Sequence, residues 1–152
     1  MAEFEIIEGF PESRPCDSGT YVDWDEYKIG IDGTMLWTPG LGPCLAVTVY
    51  SAQLGKGALA HLTQGQRDEI PSCMYHRNVV DTLASAITKD YADLEATLAG
   101  ESQGEIGISA MIRKRLGELK IPIVGEDTGI VPIGREVHLD CATGKVTVYR
   151  YQ

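Results

Sequence analysis

The sequence predicts an α/β or α+β domain built on mixed sheets with two main helices. Three observations carry this. Apolar runs with strand character outnumber those with helical spacing, the segments between them are short, and only two stretches repeat their apolar positions every three to four residues. A chain of 152 residues is one domain's worth, able to bury about two-thirds of its unfolded surface without staples. No repeat and no second domain is visible.

Residues 1–24 read as an irregular leader, with 25–152 as the domain. Pro11 and Pro15 bracket Glu12-Ser13-Arg14, and Asp17-Ser18-Gly19 is turn chemistry. Tyr27-Lys28-Ile29-Gly30-Ile31 alternates at period two, and Asp32-Gly33 predicts a hairpin into Met35-Leu36-Trp37-Thr38. Leu45 to Tyr50 is β-rich and almost wholly apolar, the mark of a central strand buried on both faces. Ser51 to Lys56 turns the chain into a further strand, Gly57 to Leu62, and a loop follows from Thr63 to Cys73. From Arg77 to Thr88, the residues Val79, Val80, Leu83, Ala84 and Ile87 recur at helical spacing. Asp93 to Ala99 fits a short strand or a helix. Gly104 to Leu119 reads as the second helix, with Ile108, Met111, Ile112, Leu116 and Leu119 inward. Ile121 to Gly125 is a strand whose Pro122 suits a strand start. Val137–Asp140 and Lys145–Tyr151 form a terminal hairpin across Ala142-Thr143-Gly144.

The net charge of −9 argues against nucleic acid as a partner, because phosphate backbones are held by basic faces. The one basic cluster, Arg113-Lys114-Arg115, reads as a solvated helix face. No apolar run approaches the ~20 residues that span a bilayer. The start, Met1-Ala2-Glu3-Phe4-Glu5, is acidic where a signal peptide would be basic. A cytoplasmic protein without membrane insertion is expected, its Cys16, Cys44, Cys73 and Cys141 reduced.

The chemistry-bearing stretch is Thr38-Pro39-Gly40-Leu41-Gly42-Pro43-Cys44, followed 17 residues later by the histidine of Gly57-Ala58-Leu59-Ala60-His61. Two neighbouring strands joined by a short turn would set thiol and imidazole side by side. Thiol nucleophiles need that arrangement, since the thiolate attacks and the imidazole takes the proton. Gly40 and Gly42 permit positive φ and can turn amide N–H groups into a concavity that receives an oxyanion, with the Cys44 N–H the most natural donor. Thr38, six residues before Cys44, carries a hydroxyl able to fix the imidazole tautomer. The pair is expected as thiolate and imidazolium. On residues alone this is a cysteine hydrolase.

Other candidates are weaker. Cys73-x-x-His76 has the spacing of half a zinc site without a second half, and Cys44, His61 and His76 could form a mixed metal site. Glu126 and Asp127 are adjacent on a strand and so face opposite ways, which suits anchoring better than shared acid–base work. His138 reads as structural. Trp24 and Trp37 read as core or rim packing, with Trp37, beside Thr38, the one placed to wall a pocket.

Thr-x-Gly-Leu-Gly-x-Cys followed by Gly-Ala-Leu-Ala-His resembles the chemoreceptor glutamine deamidase CheD family. The resemblance continues at Ile106-Gly107, at Gly117 to Ile123, at Val124-Gly125-Glu126-Asp127-Thr128-Gly129 and at Gly134-Arg135-Glu136-Val137, covering about residues 25–150. It implies a layered α-β-β sandwich related to toxin deamidases, and hydrolysis of a protein glutamine amide to glutamate and ammonia through a thioester. Cys44 would be nucleophile, His61 general base and Thr38 its orienter, with no metal or organic cofactor. The implied substrates are glutamines on chemoreceptor helices, and the implied partner is a CheC-type phosphatase. A non-catalytic module regulating that phosphatase is the alternative. The chain departs from the family pattern in four places. Position 43 is Pro where a small hydroxyl residue is usual. Leu62-Thr63-Gln64 replaces an apolar residue, Leu and Pro. The loop after Gly100 is shortened, and Ile130 replaces a glycine.

Overall fold

The run Leu45–Ser51 is buried at every position, and it lies at the centre of a five-stranded sheet. The computed structural model describes residues 3–12, 19–65, 70–101, 107–130 and 134–151. Along these the elements are β1 (Phe4–Glu8), β2 (Gly19–Tyr21), β3 (Glu26–Gly30), β4 (Met35–Thr38), β5 (Leu45–Ser51), β6 (Lys56–Leu62), a 3-10 turn at Ser72–Met74, α1 (Val79–Ile87), β7 (Leu94–Gly100), α2 (Ile108–Glu118), β8 (Ile123–Thr128), β9 (Gly134–Asp140) and β10 (Val146–Tyr151).

The strands form two mixed sheets. The inner sheet runs β3-β6-β5-β7-β8, antiparallel except for the β7–β8 pair. The outer sheet runs β1-β10-β9-β4-β2, with both edge strands parallel to their neighbours. Alternation along β5 and β6 divides the core in two. Leu45, Val47, Val49, Ala58, Ala60 and Leu62 meet the helices, through Val80, Leu83, Ile112 and Leu116 among others. Cys44, Ala46, Tyr50 and Leu59 point the other way, onto Leu36, Val137 and Leu139 of the outer sheet. The layers are therefore helices, inner sheet, outer sheet. Each helix is amphipathic, which is why it lies on a sheet rather than standing alone. No helix among the described residues is long and apolar enough to cross a membrane.

Several expectations change. The leader 1–24 is not irregular where it is described: β1 pairs with β10 and β2 with β4, at opposite edges of the outer sheet. Its Pro15 and Asp17-Ser18 lie outside the described residues, as do Cys16 and Ile106. The turn at Asp32-Gly33 forms, with Gly33 at φ +87, yet it joins no hairpin. β3 pairs with β6 and β4 with β9, so the turn passes the chain from one sheet to the other. The ambiguous segment is β7, a fully paired strand. In α2, Met111 is 46% exposed while Ser109 is buried. The terminal hairpin β9–β10 is present. Arg113 and Arg115 pair with Glu126 and Asp81 at 2.7 Å across a half-exposed surface, as a solvated face would.

Candidate active site

Hairpin β5–β6 sets Ala46 opposite His61. Cys44 lies two residues before Ala46, just ahead of β5, and packs in the same core cluster as Ala46, at the end of the hairpin that carries His61; its Sγ makes no hydrogen bond to Nε2. Both side chains face the outer sheet. There β4 presents Thr38, fully buried, toward them. Thr38 of the outer sheet and His61 of the inner sheet are thus joined across the layers, with Cys44 in the turn that leads into β5.

The hydrogen bonds fix the tautomer. Thr38 Oγ1 donates its single proton to the Val22 carbonyl at 2.7 Å. The same oxygen lies 2.6 Å from His61 Nδ1, and with its proton engaged it can only accept there. His61 therefore carries its proton on Nδ1, and Nε2 is a bare lone pair. Nε2 is also the buried side-chain polar atom without a partner among the described residues. An unpaired acceptor in a protein interior costs about 1–3 kcal/mol, and so marks a group held ready for something that arrives.

A cavity of about 460 Å³ opens beside Cys44, lined by Trp24, Gly40, Pro43, Thr63, Gln64 and Gly65. A smaller hollow of about 260 Å³ adjoins it through Gln64 and is lined by His76, Gly107, Ile108 and Met111. Trp24, 59% exposed, stands at the mouth with its ring centre 6.5 Å from that of His61. Trp37 does not wall this cavity. It alternates away from Thr38 onto the far face of the outer sheet, against Tyr21 and His138.

Electrostatics hold the pair neutral at rest, not as the expected thiolate and imidazolium. Burial, reinforced by the negative charge of Asp25, pushes the Cys44 thiol up to about 11. Burial also drives His61 down to about 4, although Asp25 and Asp23 oppose the shift. Asp25 is fixed beside the pair at φ +56, its carboxylate accepting from the Thr63 N–H and hydroxyl. Its backbone N–H donates to the His61 carbonyl at 2.8 Å.

The glycine turn does something other than expected. Gly40 takes φ +70, but its N–H donates to the Tyr151 hydroxyl at 3.0 Å. Gly42 does not adopt positive φ, and its N–H donates to the Gly40 carbonyl. Leu41 N–H goes to the Arg135 carbonyl, and Pro43 has none. The Cys44 N–H makes no hydrogen bond among the described residues. The Cys44 carbonyl accepts from the Glu101 N–H at 2.8 Å. Gly100 makes this approach possible: at φ +141 a Cβ there would collide with the Cys44 carbonyl.

A buried ion network braces this end of the sandwich. Arg135 Nε donates to Asp127 at 2.9 Å and its Nη1 to the Gly100 carbonyl at 3.0 Å, while Arg150 also donates to Asp127. Burial alone would raise Asp127; the hydrogen bonds from Arg150 and Arg135 outweigh it and hold the carboxyl below its usual range. Glu126 points outward to Arg113. Asp127 is thus an anchor between sheets and Glu126 a surface partner. His138 pairs with Glu136 at 2.7 Å beneath Trp37 and Tyr149, away from the cavity.

The metal readings find no support. His76 Nε2 donates to the Thr63 carbonyl at 2.8 Å, and no cluster of three His, Cys, Asp or Glu among the described residues is arranged for an ion. Sequence reasoning missed Asp25, Gln64 and the Val22 carbonyl. The first two carry no motif, and a backbone acceptor leaves no signature in side-chain types.

No family model matches the chain. Curated relatives do. A probable chemoreceptor glutamine deamidase CheD of Haloarcula marismortui is 31% identical over 140 residues, covering 81% of this chain and 80% of that protein. A protein of the same name in Natronomonas pharaonis is 31% identical over 158 residues, covering 90% and 93%. The chemoreceptor glutamine deamidase CheD of Thermotoga maritima is 32% identical over 137 residues, covering 81% and 86%. On relatives of this identity and extent, the chain belongs to the CheD family.

Proposed function

We propose that the protein is a cysteine-dependent amidohydrolase that converts a protein-bound glutamine side chain to glutamate and ammonia. The observation that carries this reading is the Val22–Thr38–His61 relay, which leaves Nε2 as a bare buried base on the face it shares with Cys44. The relatives' names supply the substrate class, glutamines of chemoreceptors.

The mechanism follows from the neutral resting pair. As Sγ attacks the amide carbon, the thiol proton passes to His61 Nε2. The amide oxygen becomes an oxyanion beside the Cys44 N–H, the donor still free in the turn. The imidazolium is held by Thr38 Oγ1 at Nδ1 and favoured by the charges of Asp25 and Asp23. It returns its proton to the departing nitrogen, the C–N bond breaks, and ammonia leaves a thioester on Cys44. Water then gives a proton to Nε2 and attacks the thioester, releasing glutamate and the thiol. Every proton passes through one nitrogen, so fixing the tautomer matters more than storing charge.

The test is ammonia release from a chemoreceptor helical fragment, with the converted glutamine located by mass spectrometry. Cys44→Ala and His61→Ala abolish release with the fold retained; either variant keeping wild-type rates would defeat the proposal. One observation favours a second reading, a non-catalytic module acting on a CheC-type phosphatase: the N–H groups of residues 40 to 42 are engaged and Pro43 has none, leaving a single oxyanion donor. That reading gains if phosphatase activity responds to wild type and Cys44→Ala alike while no ammonia appears.

A further inference from the structure

Two of the departures from the family pattern meet in one contact. Gln64 Nε2 donates to the Pro43 carbonyl at 2.7 Å, and both residues line the cavity with Cys44. We propose that Gln64 reads the substrate's carboxamide: anchored on Pro43, it presents Oε1 as the acceptor for the substrate's –NH2. This inference rests on the deamidase reading above.

The amide orientation is not free. A carbonyl oxygen only accepts, so the atom on Pro43 must be Nε2, and Oε1 occupies the other arm. The Nε2 contact is the hydrogen bond Gln64 makes among the described residues, so Oε1 has an open lone pair. The side chain is half-buried and tethered at one end, which reduces the ordering it must undergo on binding.

The consequence is discrimination between substrate and product. A carboxamide carries one acceptor and one donor; a carboxylate carries two acceptors. Either can place an oxygen at the Cys44 N–H, but only the carboxamide can donate to Oε1. A product carboxylate would bring oxygen against oxygen there, with Asp25 adding like-charge repulsion nearby. Gln64 therefore favours the unreacted side chain and helps expel the reacted one.

The experiment compares two alkylating reagents of matched size and leaving group on the full chain. Iodoacetamide carries the carboxamide and iodoacetate the carboxylate. Methyl methanethiosulfonate, which carries neither, reports plain access to the thiol. Mass spectrometry reads Cys44, with exposed Cys73 as the internal reference. The iodoacetamide-to-iodoacetate ratio at Cys44 exceeds that at Cys73. In Gln64→Met, neutral and of similar length, it falls about threefold to tenfold, which is what one hydrogen bond discriminates, while the methanethiosulfonate rate holds. An unchanged ratio overturns the proposal. A ratio that rises overturns it too, since Gln64 would then obstruct the carboxamide. A methanethiosulfonate rate that shifts with the ratio reduces Gln64 to packing. If Cys44 resists all three reagents even at about pH 10, where a thiol pushed up to about 11 is partly ionised, while Cys73 reacts, the deamidase reading falls with it; a reactive Cys44 with an unchanged ratio sinks only the role of Gln64.

Discussion

Replacing Thr38 by valine is the sharpest perturbation the site allows. Valine keeps the shape and removes one oxygen, so the cavity penalty is small and the effect comes from hydrogen bonding. Two bonds disappear together, at 2.7 Å to the Val22 carbonyl and at 2.6 Å to His61 Nδ1. Each leaves a buried polar group without a partner, at about 1–3 kcal/mol apiece, so a stability loss of about 2–6 kcal/mol is expected. The kinetic effect is separate. Without an acceptor at Nδ1 the imidazole is free to carry its proton on Nε2, where it cannot act as base. A wrong-tautomer defect of this kind amounts to about 10²–10³-fold in rate, or about 3–4 kcal/mol of activation free energy. The assay pairs urea unfolding with initial rates of ammonia release. Thr38→Ser, which keeps the oxygen, restores most of the rate even if it leaves a small void. The reasoning is refuted if Thr38→Val stays within about threefold of wild type while losing the stated stability, because the hydroxyl would then be purely structural.

Four further outcomes follow from the same geometry. Cys44 and Cys141 are both pushed up to about 11 by burial, against 9.0 for a free thiol; the folded values lie above the unfolded ones, so stability is intact below pH 9 and declines between 9 and 11, and a Cys141→Ala variant shows a shallower alkaline decline in urea melts. His61 is driven from 6.5 to about 4, so the unfolded chain takes up a proton that the folded chain refuses; stability falls by about 3 kcal/mol as pH drops through that interval, and His61→Gln removes this acid limb. Gly100→Ala drives a Cβ into the Cys44 carbonyl and lowers both stability and Cys44 reactivity, whereas Gly33→Ala, with open space at φ +87, costs about 1 kcal/mol in the same thermal melts and leaves the thiol unchanged. Asp127→Asn leaves Arg135 and Arg150 without their shared counter-charge and costs about 3–5 kcal/mol by chemical denaturation, more than Glu126→Gln, whose ion pair is exposed.

What the sequence disclosed depended on whether the information was local. β5 was legible because a strand buried on both faces has to be continuously apolar, and the β5–β6 hairpin because its turn is short. Those two facts put Cys44 and His61 at the same end of one hairpin. The Asp32-Gly33 turn was read correctly as a turn and wrongly as a hairpin. Turn chemistry sets the reversal of the chain, not the partner of the strand that follows, and β4 finds β9 about a hundred residues away. The choice between tryptophans failed by strand parity: Trp37 is next to Thr38 and for that reason faces the other way, while Trp24 reaches the cavity from a loop. β1 escaped because two prolines and a run of acids conceal an edge strand that gains its order from β10. The glycine turn invited an oxyanion reading, but which N–H groups remain available depends on Tyr151 and on the Arg135 carbonyl, both from the far end of the chain.

The division of the three site residues between two layers has a further consequence. Cys44 and His61 belong to the ends of one local hairpin, whereas Thr38 and the Val22 carbonyl come from the other layer and its approach. Before the layers meet, the imidazole has no Thr38 beside it and its proton is unassigned. A nascent chain, or one whose outer layer has come loose, therefore holds a thiol and a base that do not yet cooperate. Docking of the second layer is what arms them. In the mechanism proposed above, it is therefore the contact between the two layers, and not the hairpin alone, that decides whether His61 can serve as a base.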